Sequence, residues 1–235
     1  MVFDRLLSSI DGGDVLDVGC GAGQFTEILV KSLKSFTSVT GVDVDANSME
    51  EARKKHPGPA FRFLQVSAGT LPLDEESFSL VAISKALHHV QDPELMLMEM
   101  KRVLRKGGYF LINEMHRDQL TDAQQSHVLY HHLRSEVDKL LGISHNHTFR
   151  RSDLIRLADG LGLRDRVMVE FSPDPGSAKD PSRIEEFNRK MDGWLTMLEG
   201  HPAKMKIAAR VDTLKERFRR AGISRAPQMV ILGRK

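Results

Sequence analysis

The chain has 235 residues, 40% of them hydrophobic, and its 34 basic and 32 acidic side chains leave a formal charge of +2. This length suits one large α/β domain or a domain with a sizeable insertion, and the charge gives no whole-molecule reason to expect nucleic acid or a membrane surface. The single cysteine, Cys20, excludes an intrachain disulfide and fits a reducing compartment. Asp4 and Arg5 leave no room for a signal-peptide core, and no apolar run is long enough for a membrane span, so a cytoplasmic protein is expected.

Residues 2–10 predict at most a short helix with Phe3, Leu6, Leu7 and Ile10 on one side. The run Val15-Leu16-Asp17-Val18 predicts a buried strand. It breaks into Gly19, Gly21 and Gly23, then continues as Phe25, Ile28, Leu29 and Leu33 at helical spacing. The pattern is strand, glycine loop, helix. Such glycines let a ligand lie against the backbone, and the helix start offers free N–H groups to a negative charge. The glycines alternate strictly, and Gln24 stands where a dinucleotide fingerprint has its third glycine, which argues against NAD. A second strand, Ser38 to Val42, ends in Asp43, whose two oxygens can accept both hydroxyls of a ribose.

Ser48 is expected to cap a helix that reaches Lys55 and stops at His56-Pro57-Gly58-Pro59. Strand three covers about Ala60 to Val66, and strand four Leu80 to Ser84. Asp92-Pro93 opens a helix from Glu94 to Leu104, Lys106-Gly107-Gly108 forms its exit turn, and Tyr109 to Asn113 is strand five.

Five stretches in this order resemble class I S-adenosylmethionine-dependent methyltransferases. They are Asp17-x-Gly19-x-Gly21-x-Gly23 with Gly41-Val42-Asp43, Leu71-Pro72-Leu73, Ser77-Phe78, Leu87-His88-His89-Val90-Gln91-Asp92-Pro93, and Arg102 to Gly108. They resemble the small-molecule enzymes of the ubiquinone and menaquinone biosynthesis type, over about residues 10–115. The resemblance implies an α/β, Rossmann-like, seven-stranded and mostly parallel sheet. Its last strand would be antiparallel, inserted between the fifth and sixth, with helices on both faces and helical insertions after strands five and six. It also implies S-adenosylmethionine as cofactor, held by Asp17, Gly19, Cys20, Gly21, Gly23, Asp43, Val44, Ser67, Ala68, Ser84 and Lys85. The implied reaction is in-line transfer of a methyl group to oxygen, nitrogen or carbon of a small-molecule acceptor. Ser67 stands where the family usually has an acidic residue reading the adenine amino group, though its hydroxyl can still accept one hydrogen bond. Ser79 replaces a frequent Asp and reads as structural. Ser84-Lys85-Ala86-Leu87 lacks the Asn/Asp-Pro-Pro-aromatic signature of enzymes that methylate the amino groups of adenine or glutamine.

Beyond residue 115 the spacing predicts three further elements before residue 172. A helix follows Thr121 or Asp122 with Val128, Leu129, Leu133, Val137 and Leu140 on one face, a second helix is capped by Ser152, and a sixth strand runs from Arg166 to Phe171. Asp180-Pro181 then opens a helix with Phe187, Met191 and Trp194 inward. A basic helix carries Met205, Ala208, Val211, Leu214 and Phe218 to Gly222, and Gln228 to Leu232 is the last strand. The whole is expected to be one domain, with about 116–150 and 173–225 as insertions able to act as a lid.

Histidine titrates near neutrality, so His88 and His89 are the candidate catalytic bases, with a structural role as the competing reading. His127 and His131 at i,i+4 and the pair His145-x-His147 raise the question of a metal. Zinc needs three or four convergent ligands and no cysteine is spare nearby, so no metal is expected. The basic residues of the last helix read as a solvated face. An RNA-modifying enzyme using that helix is one alternative. A non-catalytic binding module on the same fold is another, for which Ser67 and the short segment ahead of strand one speak.

Overall fold

The computed structural model describes residues 2–66, 69–173 and 176–235. The chain divides into two compact units, Met1–Glu114 with Ser152–Glu170 and Met229–Lys235, and Met115–Arg151 with Phe171–Gln228.

The first unit is built on a seven-stranded sheet in the order β3-β2-β1-β4-β5-β7-β6. The strands are β1 (Asp14–Val18), β2 (Ser38–Asp43), β3 (Phe61–Gln65), β4 (Phe78–Ser84), β5 (Leu104–Met115), β6 (Arg164–Phe171) and β7 (Gln228–Arg234). The first five pair in parallel. β7 runs antiparallel to β5, because Lys235 exchanges backbone bonds with Gly107 and Gly108 at one end and Pro227 accepts from His116 at the other. A central parallel strand is covered on both faces and so reads as a continuous apolar run. Leu80, Val81, Ala82 and Ile83 of β4 are all buried in this way, whereas β6, at the edge, leaves Val167 and Met168 exposed.

Helices α1 (Val2–Leu7), α2 (Gln24–Ser32), α3 (Ala46–Lys55), α4 (Pro93–Val103) and α6 (Arg151–Gly160) accompany the sheet. Phe25 and Leu29 of α2 and Met96, Leu97, Met100 and Val103 of α4 supply the buried faces. Some helix and strand ends differ from the sequence expectation. Asp45, rather than Ser48, caps α3: its carboxylate accepts from the Asn47 and Ser48 N–H groups, and the Ser48 hydroxyl donates to it as well. α6 starts one residue before Ser152, and the Asp118 carboxylate accepts from Arg151 N at 2.6 Å. β5 begins directly at Leu104, so Lys106-Gly107-Gly108 lies inside it as an irregularity between the pairs Phe78–Leu104 and Leu80–Tyr109. A side chain at Gly108 would strike the Ser79 carbonyl oxygen at 2.8 Å, so the bulged segment crosses β4 too closely for a Cβ.

The second unit contains α5 (Asp122–Leu140), α7 (Pro181–Met197) and α8 (Lys204–Ala221). Thr121 and Gln124 form a capping box on α5, and Asp180 caps α7 ahead of Pro181. The core is Tyr130, Leu133 and Val137 of α5 packed with Phe187, Met191 and Trp194 of α7 and Ile207, Val211, Leu214 and Phe218 of α8. Three expected core positions face solvent instead: Leu129 is 40% exposed, Leu140 38% and Met205 81%. Ile207 takes the place expected for Met205. Among the described residues no helix is long and apolar enough to cross a membrane.

Candidate active site

The strand order reverses between β1 and β4, and in open α/β sheets ligands bind at such a point, outside the carboxyl ends of the strands. Asp17 and the glycine loop lie at the end of β1, Asp43 at the end of β2, Ser84 at the end of β4, and Asn113 and Glu114 at the end of β5.

The loop is tied down by backbone bonds. Gly19 N and Cys20 N both donate to Val42 O, at 2.8 and 3.1 Å, and Gly23 N donates to Cys20 O at 2.9 Å. Gly19 has φ +66°, and a Cβ there would lie 2.4 Å from that of Ala86, so only glycine lets the loops after β1 and β4 pass. Gly23, also left-handed, leaves room for the buried His56 ring, whose Nε2 lies 2.9 Å from Gly23 O. At Gly21 the backbone stays open, with nothing nearer to a Cβ than 3.9 Å.

Asp43 closes this loop from β2: its Oδ2 accepts Gly21 N at 2.8 Å and its Oδ1 accepts Asp45 N at 3.1 Å. A carboxylate has about four acceptor positions, so these two bonds leave capacity for ribose hydroxyls. Val44 beside it is 56% exposed. Asp17 is fully buried; its Oδ2 accepts from Thr26 Oγ1 at 2.6 Å, and its Oδ1 has no hydrogen-bond partner among the described residues. Burial first, and the nearby Asp43 charge second, push its carboxyl up to about 7 against the pull of the Thr26 bond. An orphaned buried carboxylate oxygen beside an open glycine cradle fits a ligand with a donor or a positive charge.

Not every expected residue comes to this edge. The Cys20 side chain packs between Met49, Ala52 and Phe63, and burial raises its thiol well above the ordinary range. Its backbone N–H and carbonyl are already used within the loop, so Cys20 serves packing. Ser67 and Ala68 lie outside the described residues. Ser84 Oγ accepts from Asn113 Nδ2 at 2.9 Å. Lys85 is exposed with φ +52°, and its N–H donates to Asn113 O at 2.8 Å, which pins the turn that follows β4.

The two candidate bases differ. His88 is buried in the short 3-10 turn Leu87–His89, with Nδ1 3.0 Å from Glu114 Oε1, while His89 is exposed. Glu114 itself is fully buried. The sequence reading missed it because strand five was expected to end at Asn113; an acid closing an apolar strand, as at Asp17, was the available signal. The histidines of the second unit sit in other roles. His127 Nδ1 accepts from Ala226 N at 3.1 Å, His145 Nδ1 lies 2.6 Å from Asp138 Oδ2, and the His132 and His147 rings stack 4.2 Å apart.

Fold and site together define a class: an open α/β domain with an alternating glycine loop after β1 and acids ending β1 and β2, the arrangement of class I S-adenosylmethionine-dependent methyltransferases. Comparison with known proteins agrees. Residues 16–112 match the family described as methyltransferase domain, in keeping with this arrangement. The chain is 35% identical over 111 residues to the phthiotriol/phenolphthiotriol dimycocerosates methyltransferase of Mycobacterium tuberculosis, covering 46% of this chain and 41% of that protein. It is 34% identical over 120 residues to the demethylmenaquinone methyltransferase of Staphylococcus aureus, covering 51% and 50%. The chain therefore spans half or less of the length of these curated relatives. An S-adenosylmethionine-dependent methyltransferase from Mesorhizobium loti has a similar fold, with a TM-score of 0.58 at 17% identity over 99% of this chain and 96% of that one.

Proposed function

We propose that the chain methylates an oxygen nucleophile of a small-molecule acceptor, with His88 as general base and Glu114 as its positioning residue. The observation that carries this reading is the buried pair His88 Nδ1–Glu114 Oε1, 3.0 Å apart at the carboxyl ends of β4 and β5. A carboxylate 3.0 Å from Nδ1 favours the tautomer with its proton on that nitrogen, which would leave Nε2 able to accept one. A neutral amine or a carbanion would need no such base; a hydroxyl gains from one.

Asp17, the backbone of Gly19 to Gly23, and Asp43 would hold the cofactor, with Val44, Ser67, Ala68, Ser84 and Lys85 around it. When bound, S-adenosylmethionine supplies an electrophilic methyl group on a positively charged sulfur. The protein's part is to orient the acceptor in line, exclude water and take the hydroxyl proton onto His88 Nε2 as the oxygen lone pair forms its bond to carbon. The relatives named above, a menaquinone-pathway enzyme and an enzyme of phthiotriol lipids, support an apolar small molecule as acceptor. In α8, Lys204, Arg210, Lys215 and Arg219 each face a carboxylate, which favours a small molecule over RNA.

The test is a labelled-methyl screen of metabolite pools, followed by steady-state rates of the chain, His88→Gln and Glu114→Gln with the acceptor found. His88→Gln should lose at least a hundredfold in kcat, and Glu114→Gln should lose less. Rates unchanged in both variants, or an acceptor methylated on carbon or on a neutral amine, would overturn the reading.

A further inference from the structure

Between α5 and α8 the second unit carries a groove of about 560 Å³, a volume within the range of small-ligand sites. Leu129, Leu133 and Leu214 form its apolar floor, and Arg210, Arg217 and Arg220 stand along its rim. Leu129 is 40% exposed.

Charge in the groove is distributed unevenly. At one end Arg210 is paired with Glu136, and the lining residue Glu216 is taken by Arg219, so these charges cancel. At the other end Arg217 is held almost entirely by neutral acceptors: Ser126 Oγ at 3.1 Å, Asp122 O at 3.0 Å and Gln125 Oε1 at 2.8 Å. The nearest carboxylate, Asp122 Oδ1, is 3.8 Å away on a side chain that is 86% exposed. Arg217 is thus a rigidly positioned guanidinium whose charge is largely uncompensated. Arg220, one turn further, has no hydrogen-bond or ion-pair partner among the described residues. Two guanidiniums at one end of an apolar trough suit an anion with an apolar body, because a planar guanidinium binds a carboxylate in bidentate fashion and prior positioning lowers the cost of binding. From Arg210 to Arg220 the rim runs ten residues of helix, about 15 Å, the reach of a medium-length acyl chain.

We propose that this groove binds a free acyl carboxylate, its chain on Leu129, Leu133 and Leu214 and its head group on Arg217 and Arg220. The site is independent of the methyl-transfer reading, since none of its residues belongs to the first unit. Calorimetric titration of the full chain with dodecanoate below its micellar concentration tests it. Dodecanoate should bind to one site, dodecanol at least tenfold more weakly, and inorganic phosphate not measurably. Arg220→Glu and Leu129→Glu both alter exposed positions that support no core contact. Each should weaken dodecanoate at least tenfold, with an unchanged melting temperature and unchanged affinity for S-adenosylmethionine. Equal affinity for dodecanol, dodecanoate binding indifferent to both variants, or binding only to phosphatidylglycerol vesicles and not to monomeric dodecanoate would overturn the proposal.

Discussion

Each unit buries an aspartate, and the two are treated in opposite ways. In the first unit Asp17 has one hydroxyl partner and one orphaned oxygen, and burial holds its carboxyl up at about 7. In the second, burial would likewise raise Asp138, but the hydrogen bond with His145 and the charge of Arg134 outweigh it and lower its pKa. Arg134 Nε and Nη2 lie 2.9 and 2.5 Å from the Asp138 oxygens. Asp138 Oδ1, like Asp17 Oδ1, has no hydrogen-bond partner among the described residues, but the Arg134 guanidinium stands against it. A buried charge that the chain itself pairs with an opposite charge is architecture. One left short of partners costs stability, and such a cost persists where a ligand supplies the missing partner.

Three substitutions would break or sharpen this contrast. The largest effect is expected at Asp138→Ala, which strands Arg134 and His145 around an empty position. Removing one partner of a buried pair costs about 3–5 kcal/mol, so chemical denaturation should show a loss of that size. Calorimetry should find S-adenosylmethionine affinity within a few-fold of the parent, because the residues proposed to hold it lie in the first unit. A parallel collapse of cofactor binding would show that the two units share one cooperative core.

Gly19→Ala comes next. Its Cβ would meet that of Ala86 at 2.4 Å in a left-handed backbone, so overpacking and dihedral strain together should cost about 2–4 kcal/mol. Cofactor affinity should fall as well, which sets it apart from Asp138→Ala. The reverse outcome, lost stability with intact binding, would make the glycine loop architecture rather than site.

The smallest effect is the pH dependence set by Asp17. Its folded-state pKa of about 7 lies above the ordinary carboxylate value of 3.8, so the folded protein holds the proton more tightly than the unfolded chain. Its contribution is fully present below about pH 4 and is lost as pH rises through 7. Between pH 6 and 8 the parent should lose about 1.4 kcal/mol relative to Asp17→Asn, the worth of one pKa unit. Denaturation curves of the two proteins that stay parallel across that interval would mean the Asp17 carboxylate is stabilised by something other than Thr26.

The cofactor-binding half was legible in the sequence because its signals are local. The strand ends at Asp17 and Asp43, the alternating glycines and the Pro93 helix start each need only a few neighbouring residues, and the strand order follows from the class they identify. What sequence spacing could not reach depends on residues far apart in the chain. Asp45 rather than Ser48 caps α3 because both were plausible acceptors and only backbone direction selects between them. Helical periodicity put Leu129 and Met205 inward, yet the angle at which α5 and α8 pack left both exposed and buried Ile207. Cys20 sat inside the binding motif, but its thiol turned toward Met49 and Phe63. The partner of His88 lies 26 residues away at the end of another strand, and its identity became visible only when β4 and β5 were laid side by side. Local backbone chemistry determined the class of this protein; long-range packing decided which of its histidines meets a carboxylate in the first unit, and which of its leucines stays open to a ligand in the second.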